Sequence, residues 1–274
     1  MRYVEFKFGL ASKDVHFIAA NGYPPAAYVS LFHSINDVHV RSFLLRPINP
    51  DFTKLELNSW FDFVDDLHEY VLKFQPKIVM GHSIGAVLWL MYSQKYNYKF
   101  EKIILIDPAL FLPHIVFIFN IFRFFNLHEK VHPLITPTLK RQRTFATKKE
   151  IFKKYRSKNI FKYIPDTILQ EYIDSLFVYD NGVFKLSYCP KWEAKIYERG
   201  LIEDNLTWKY LKQSQAEINL IWAEYSNICS SKIESKFKSL CRTINCFEIK
   251  NATHLLPLEK PVELAKIINQ IVDN

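Results

Sequence analysis

The chain has 274 residues, of which 49% are apolar and 23% charged. That balance excludes a disordered, self-solvating chain, because there is ample apolar area to bury. Thirty-six Lys and Arg against 28 Asp and Glu give a net charge of +8, but no recognition motif accompanies the excess, so nucleic acid is not an expected partner.

The first third alternates strand and helix signals. Residues 3–8 alternate polar and apolar, as a half-buried strand does. Residues 15–20 (VHFIAA) are nearly all apolar, which suits a strand covered on both faces. They stop at Asn21-Gly22-Tyr23-Pro24-Pro25, which is dense in turn formers. Residues 38–45 predict a third strand. Across 58–74, Trp60, Phe63, Val64, Leu67, Tyr70, Val71 and Phe74 recur at three and four, one buried helical stripe. Ser59 followed by Asp62 fits a capped start, and Pro76 ends the segment. A short strand at 77–80, a helix at 83–96 and a buried strand at 102–106 (KIILI) follow, closed by Asp107-Pro108.

The tail repeats the pattern, with strands at 217–222 and 244–249 and a Pro-initiated helix at 261–272. Strands alternating with helices predict an α/β fold, a mostly parallel sheet with helices on both faces. The middle breaks the alternation. It opens FLPHIVFIFNIFRFFNL, and residues 138–158 then hold nine Lys or Arg and one Glu. We expect a core formed by residues 1–110 and 213–274, and a mainly helical insertion at 111–212. Most phenylalanines of the insertion are expected to pack it onto the core.

Only six residues are glycine, about a third of average usage, so each should stand where backbone geometry requires it. Gly81 and Gly85 fall in KIVMGHSIG, which reads Gly-x-Ser-x-Gly around Ser83, after a strand and before a helix. That is the context of a nucleophile elbow, in which a strained turn lifts a serine hydroxyl above the sheet at the positive end of the next helix. A serine hydroxyl needs a base to take its proton and a third group to hold that base, in the chain order serine, acid, histidine.

The segments FIAANGYP, GHSIGA, IILIDPA, LIWAEYSN and NATHLLPLEKP together resemble the α/β-hydrolase superfamily. The resemblance implies an oxyanion hole formed by the backbone amides of Tyr23 and Ile84, beside Gly22, with Asn21 where the family usually has histidine. It implies His254 as base and a cap over the site built from the insertion. The family's usual acid position holds Ser226 here. Two carboxylates could substitute: Asp107, at the end of the strand after the elbow helix, is the first choice, and Glu224 the second. The implied activity is a serine hydrolase acting on a small carboxylic ester or thioester with an apolar acyl or aryl group, without a cofactor. Two alternatives remain open: carbon–carbon or other non-ester hydrolysis by the same triad, and a hydrolase-like binding protein without catalysis.

His128-Glu129-Lys130-Val131-His132 matches the zinc-protease pattern H-E-x-x-H. Pro133 follows at once and stops the helix such a site needs, so no metal is expected. The apolar run at 111–127 is too short and polar to span a bilayer, but with the basic stretch after it a weak peripheral membrane contact is compatible. Four cysteines without a C-x-x-C pair, and a start lacking an apolar leader run, predict reduced thiols and a cytoplasmic location.

Overall fold

The computed structural model describes residues 2–49 and 54–273. Ten strands are present among them: β1 Tyr3–Lys7, β2 Lys13–Ile18, β3 Val38–Phe43, β4 Ile78–His82, β5 Lys102–Ile106, β6 Thr144–Phe145, β7 Phe177–Asp180, β8 Val183–Leu186, β9 Glu217–Ala223 and β10 Ile244–Ile249. The helices of the first half are α1 Val29–Ser34, α2 Phe61–Phe74, α3 Ile84–Tyr96, α4 Pro113–Phe124, α5 His128–Val131 and α6 Ile135–Leu139. Then come α7 Lys148–Arg156, α8 Asp166–Leu176, α9 Pro190–Glu198, α10 Asp204–Leu211, α11 Ser231–Leu240, α12 Leu256–Glu259 and α13 Pro261–Asp273.

Seven strands form one sheet in the order β1-β3-β2-β4-β5-β9-β10. Only β1 runs antiparallel to its neighbour; the others pair in parallel. The central strands are apolar throughout because both faces are covered. In β5, Ile103 and Leu105 join the apolar layer shared with α2 and α3, while Ile104 and Ile106 join the layer shared with α1 and α13. Helix α3 is buried at ten of its positions, from Ile84 to Ser93; a helix apolar all round belongs inside a protein.

Helix α2 starts later than its sequence suggests, at Phe61. Ser59 and Asp62 still serve the entry: Ser59 Oγ accepts the Phe61 amide at 3.1 Å, and Asp62 accepts the Asn58 amide at 2.7 Å. Between β5 and β9 the chain leaves the sheet. This insert is largely helical but also holds a three-stranded antiparallel sheet, β6-β8-β7, which the periodicity did not reveal. The turn between β7 and β8 is Asn181-Gly182, both with positive φ, the hairpin signature in this stretch.

One buried acid ties the two ends of the insert together. Asp204, 2% exposed, accepts the Phe111 amide at 2.7 Å, and Trp208 Nε1 donates to the Phe111 carbonyl at 2.6 Å. Burial pushes the Asp204 carboxyl from 3.8 up to about 7. A raised acid is stabilising when protonated, so its contribution is complete at low pH and is lost as pH rises through the folded value. Relative to Asp204→Asn, the wild type should lose on the order of 4 kcal/mol between about pH 4 and pH 8. Urea unfolding of both proteins across that range measures it; parallel curves would refute the assignment.

Candidate active site

The order of the strands places the site. The chain passes from β2 outward to β3, then returns across the sheet to β4, so the direction of winding reverses between the neighbours β2 and β4. In open α/β sheets, ligands bind in the crevice beyond the strand C-termini at such a reversal. Asn21-Gly22 follows β2 there and Ser83 follows β4. The loops after β5, β9 and β10 open on the same edge and bring Asp107, Ser226 and His254.

Ser83 has φ 57° and ψ −118°, a strained conformation for a residue with a side chain, of the kind that collects at functional sites. Its amide donates to the Ile106 carbonyl at 3.0 Å and its carbonyl accepts the Ala109 amide at 3.2 Å, so the elbow is laced to the loop after β5. The tightness of the turn explains its glycines. A Cβ at Gly81 would lie 2.3 Å from the Gly85 carbonyl carbon, and one at Gly85 would lie 2.1 Å from the Ile18 carbonyl oxygen. Backbone atoms cannot yield that space, so no other residue fits.

Ser83 Oγ lies 3.0 Å from His254 Nε2, and His254 Nδ1 lies 2.6 Å from Asp107 Oδ2. With the carboxylate accepting, Nδ1 carries the proton and Nε2 is left to accept from the serine hydroxyl. Asp107 is fully buried. Its Oδ1 accepts the Ala223 amide at 3.2 Å and its Oδ2 accepts the Ser226 hydroxyl at 2.6 Å. Ser226, at the position where the resemblance places the acid, thus donates to the carboxylate that comes from β5. Glu224, the second choice for the acid, is not brought to His254. Its carboxylate turns outward to accept the Asn251 amide at 3.0 Å, with Lys250 at 3.5 Å.

Ser226 is a contact that sequence reasoning missed as a site residue, although its place in the resemblance pointed to the right loop. Ser226→Ala removes one of three donors to the Asp107 carboxylate. We expect kcat to fall by about fivefold to thirtyfold with KM little changed, read by steady-state hydrolysis of a soluble ester. An unchanged kcat would show that Ser226 only shapes its loop.

The histidine loop is gripped from two sides. His82 is fully buried; its Nε2 donates to the His254 carbonyl at 2.9 Å and its Nδ1 accepts the Tyr28 hydroxyl at 2.8 Å. Burial holds the His82 ring well below the ordinary imidazole range, with the neighbouring His254 acting in the same direction, so this histidine stays a neutral strut. Glu259 accepts the Thr253 amide at 2.6 Å and its hydroxyl at 2.7 Å, fixing the residue before His254.

Of the two amides implied as oxyanion donors, that of Ile84 is the first of α3, ahead of any i to i−4 partner. That of Tyr23 donates to the Ala20 carbonyl at 3.2 Å in a turn, a bond it would have to share or release to serve an oxyanion. Asn21 joins this segment to the insert: its Nδ2 donates to the Glu193 carbonyl and its Oδ1 accepts the Tyr188 hydroxyl, both at 3.0 Å. The Tyr172 hydroxyl donates to the Gly22 carbonyl at 3.2 Å, and the Tyr23 and Tyr172 rings stack with centroids 4.8 Å apart. Glu193, buried against Gly22, is paired by two 2.7 Å bonds from Arg141. Parts of α8 and α9 therefore roof the Asn21-Gly22-Tyr23 segment.

The H-E-x-x-H stretch is spent elsewhere. Helix α5 ends at Val131, and His132 leaves it with extended backbone. The His132 ring stacks on Tyr197, its Nδ1 accepts the Leu134 amide at 3.2 Å, and burial lowers its pKa to about 4. Two hollows, of about 520 and 330 Å³, open at Gln94–Tyr210 and at Ser12–Glu101 and are lined by none of Ser83, Asp107 and His254.

The family model described as serine aminopeptidase, S33, matches residues 53–171. No curated protein matches the sequence. Among solved structures, E-2-(acetamidomethylene)succinate hydrolase is 14% identical with a TM-score of 0.77, covering 100% of each chain. The thioesterase domain from the curacin biosynthetic pathway is 13% identical with a TM-score of 0.71, covering 98% of this chain and 94% of that one. An esterase from Mycobacterium tuberculosis is 13% identical with a TM-score of 0.68, covering 96% of this chain and 85% of that one. At these identities the likeness carries the fold. By its sheet order and these structural likenesses, the chain has the α/β-hydrolase fold.

Proposed function

We propose that the protein is a serine hydrolase that cleaves a small carboxylic ester or thioester through an acyl-enzyme on Ser83. The observation that supports this reading most is the continuous chain of hydrogen bonds from Ser83 through His254 to Asp107, at 3.0 and 2.6 Å. His254 Nε2 takes the hydroxyl proton as Ser83 Oγ bonds to the carbonyl carbon. Asp107 stabilises the imidazolium that forms. The Ile84 amide, with that of Tyr23 once its turn bond is shared, faces the developing oxyanion; such a donor is worth about 3 kcal/mol of barrier. The carbon–oxygen or carbon–sulfur bond then breaks, and His254 returns the proton to the leaving alcohol or thiol. Water repeats the sequence on the acyl-enzyme, giving the acid and free Ser83.

The insert acts as a cap in this reading, its Tyr23-facing aromatic layer favouring an apolar acyl or aryl group. The non-catalytic alternative drew on the absence of an acid at position 226. Asp107 at His254 supplies a carboxylate by another route, which favours catalysis. Labelling by a fluorophosphonate tests the proposal: covalent labelling is expected on Ser83, and an unlabelled wild type would leave the binding-protein reading. Nitrophenyl esters of rising acyl length then rank the substrate; turnover of carbon–carbon substrates alone would move the reaction to the other alternative.

A further inference from the structure

Helix α4 is apolar on both sides. Val116 and Phe119 turn inward, and Arg123 reaches the Glu198 and Gly200 carbonyls at 3.1 and 2.7 Å. The opposite face carries Phe117, Ile118, Ile121 and Phe124, at the i, i+1, i+4, i+7 spacing of one helical stripe. Most phenylalanines of the insertion are buried or half-buried as expected, but three here are not: Phe117 is 66% exposed, Phe124 81% and Phe125 63%. The exposed apolar surface continues through Leu127, Val131, Leu134 and Leu139 on the α5–α6 segment. A helix apolar all round is ordinarily buried, and a contiguous exposed patch of this kind marks an interaction surface.

The charge of the stretch that carries this face points to its partner. Residues 113–163 contain 12 Lys or Arg and two Glu, leaving 24 cations and 26 anions in the rest of the chain. The whole positive excess therefore sits in the stretch that carries the apolar face. Lys130 and Lys140, both exposed, alternate along the chain with the exposed Val131, Leu134 and Leu139. A second copy of the chain would set like charges against one another, whereas an anionic bilayer neutralises them while it accepts the aromatic rings. Among the described residues no helix is long and apolar enough to cross a membrane.

We propose that the outer face of α4, with α5 and α6, docks flat onto an anionic lipid surface, the rings entering the interface and Lys130 and Lys140 meeting the headgroups. The proposal does not depend on the reaction at Ser83.

Co-sedimentation of the full chain with vesicles of equal parts phosphatidylcholine and phosphatidylserine tests it, with pure phosphatidylcholine vesicles as comparison. Wild-type protein should bind the anionic vesicles, and binding should weaken about tenfold or more on neutral vesicles or in high salt. Combining Phe117→Ser, Phe124→Ser and Phe125→Ser should lower partitioning by about tenfold or more, as should Lys130→Glu with Lys140→Glu. These side chains are exposed, so the variants should keep the wild-type melting temperature and fluorophosphonate labelling. If the triple variant fails to fold, Phe124→Ser alone should still weaken binding severalfold. The proposal is overturned if wild type does not sediment with anionic vesicles, or if the folded phenylalanine variants bind undiminished. It is also overturned if the chain instead forms a dimer that the triple variant breaks while neither protein binds vesicles.

Discussion

Ser83→Ala should reduce hydrolysis of a nitrophenyl ester by about 10⁴-fold to 10⁶-fold and abolish fluorophosphonate labelling, with folding intact. Alanine keeps the Cβ that the elbow already accommodates, so the φ of 57° is no harder to hold than with serine. What is lost is the oxygen that lies 3.0 Å from His254 Nε2. The residual rate would come from the oxyanion donors and from binding alone. His254→Ala should fall in the same range, and the double variant no lower, because the two groups act as one unit. Rapid hydrolysis by Ser83→Ala would place the nucleophile elsewhere.

Asp107→Asn should lower kcat by about 10³-fold to 10⁴-fold, while Glu224→Gln should stay within about twofold of wild type. The difference lies in what each carboxylate touches. Asp107 Oδ2 is 2.6 Å from His254 Nδ1 and lies in a fully buried position. An amide there can present its NH₂ to the ring, favouring the tautomer that leaves Nε2 protonated and unable to accept from Ser83. It also withdraws the negative charge from the imidazolium. Glu224 instead holds the Asn251 amide at the surface, and the Lys250 ammonium beside it adds to that hydrogen bond in keeping its carboxyl below the ordinary range. Equal loss in the two variants would defeat the assignment of Asp107. Moving the carboxylate, with Asp107→Asn combined with Ser226→Asp, offers a further check, since Ser226 Oγ already lies 2.6 Å from the acid.

Local chemistry determined a large part of this protein. The apolar runs at β2, β4 and β5, the stripe of α2 and the proline that opens α13 specify a parallel sheet between helices. These are patterns of period two and 3.6, or of burial on both faces, and they are written in neighbouring residues. The elbow was legible for the same reason: Gly81, Ser83 and Gly85 meet each other within a single turn. The meeting of Ser83, Asp107 and His254 is different in kind. His254 lies 171 residues from Ser83 and 147 from Asp107. Their meeting depends on β5 and β9 standing side by side between β4 and β10, and no local periodicity encodes strand order.

That is why the sequence alone left two carboxylates open, whereas the sheet brings Asp107 and not Glu224 to His254, and why Ser226 read as a missing acid rather than as a hydroxyl bonded to Asp107. The face of α4 escaped for a related reason. Composition says that a helix is apolar, but only packing decides which side meets the core. In this chain α4 spends Val116 and Phe119 on the interior and leaves Phe117, Phe124 and Phe125 in the open, because the neighbours it would need on that side are absent among the described residues.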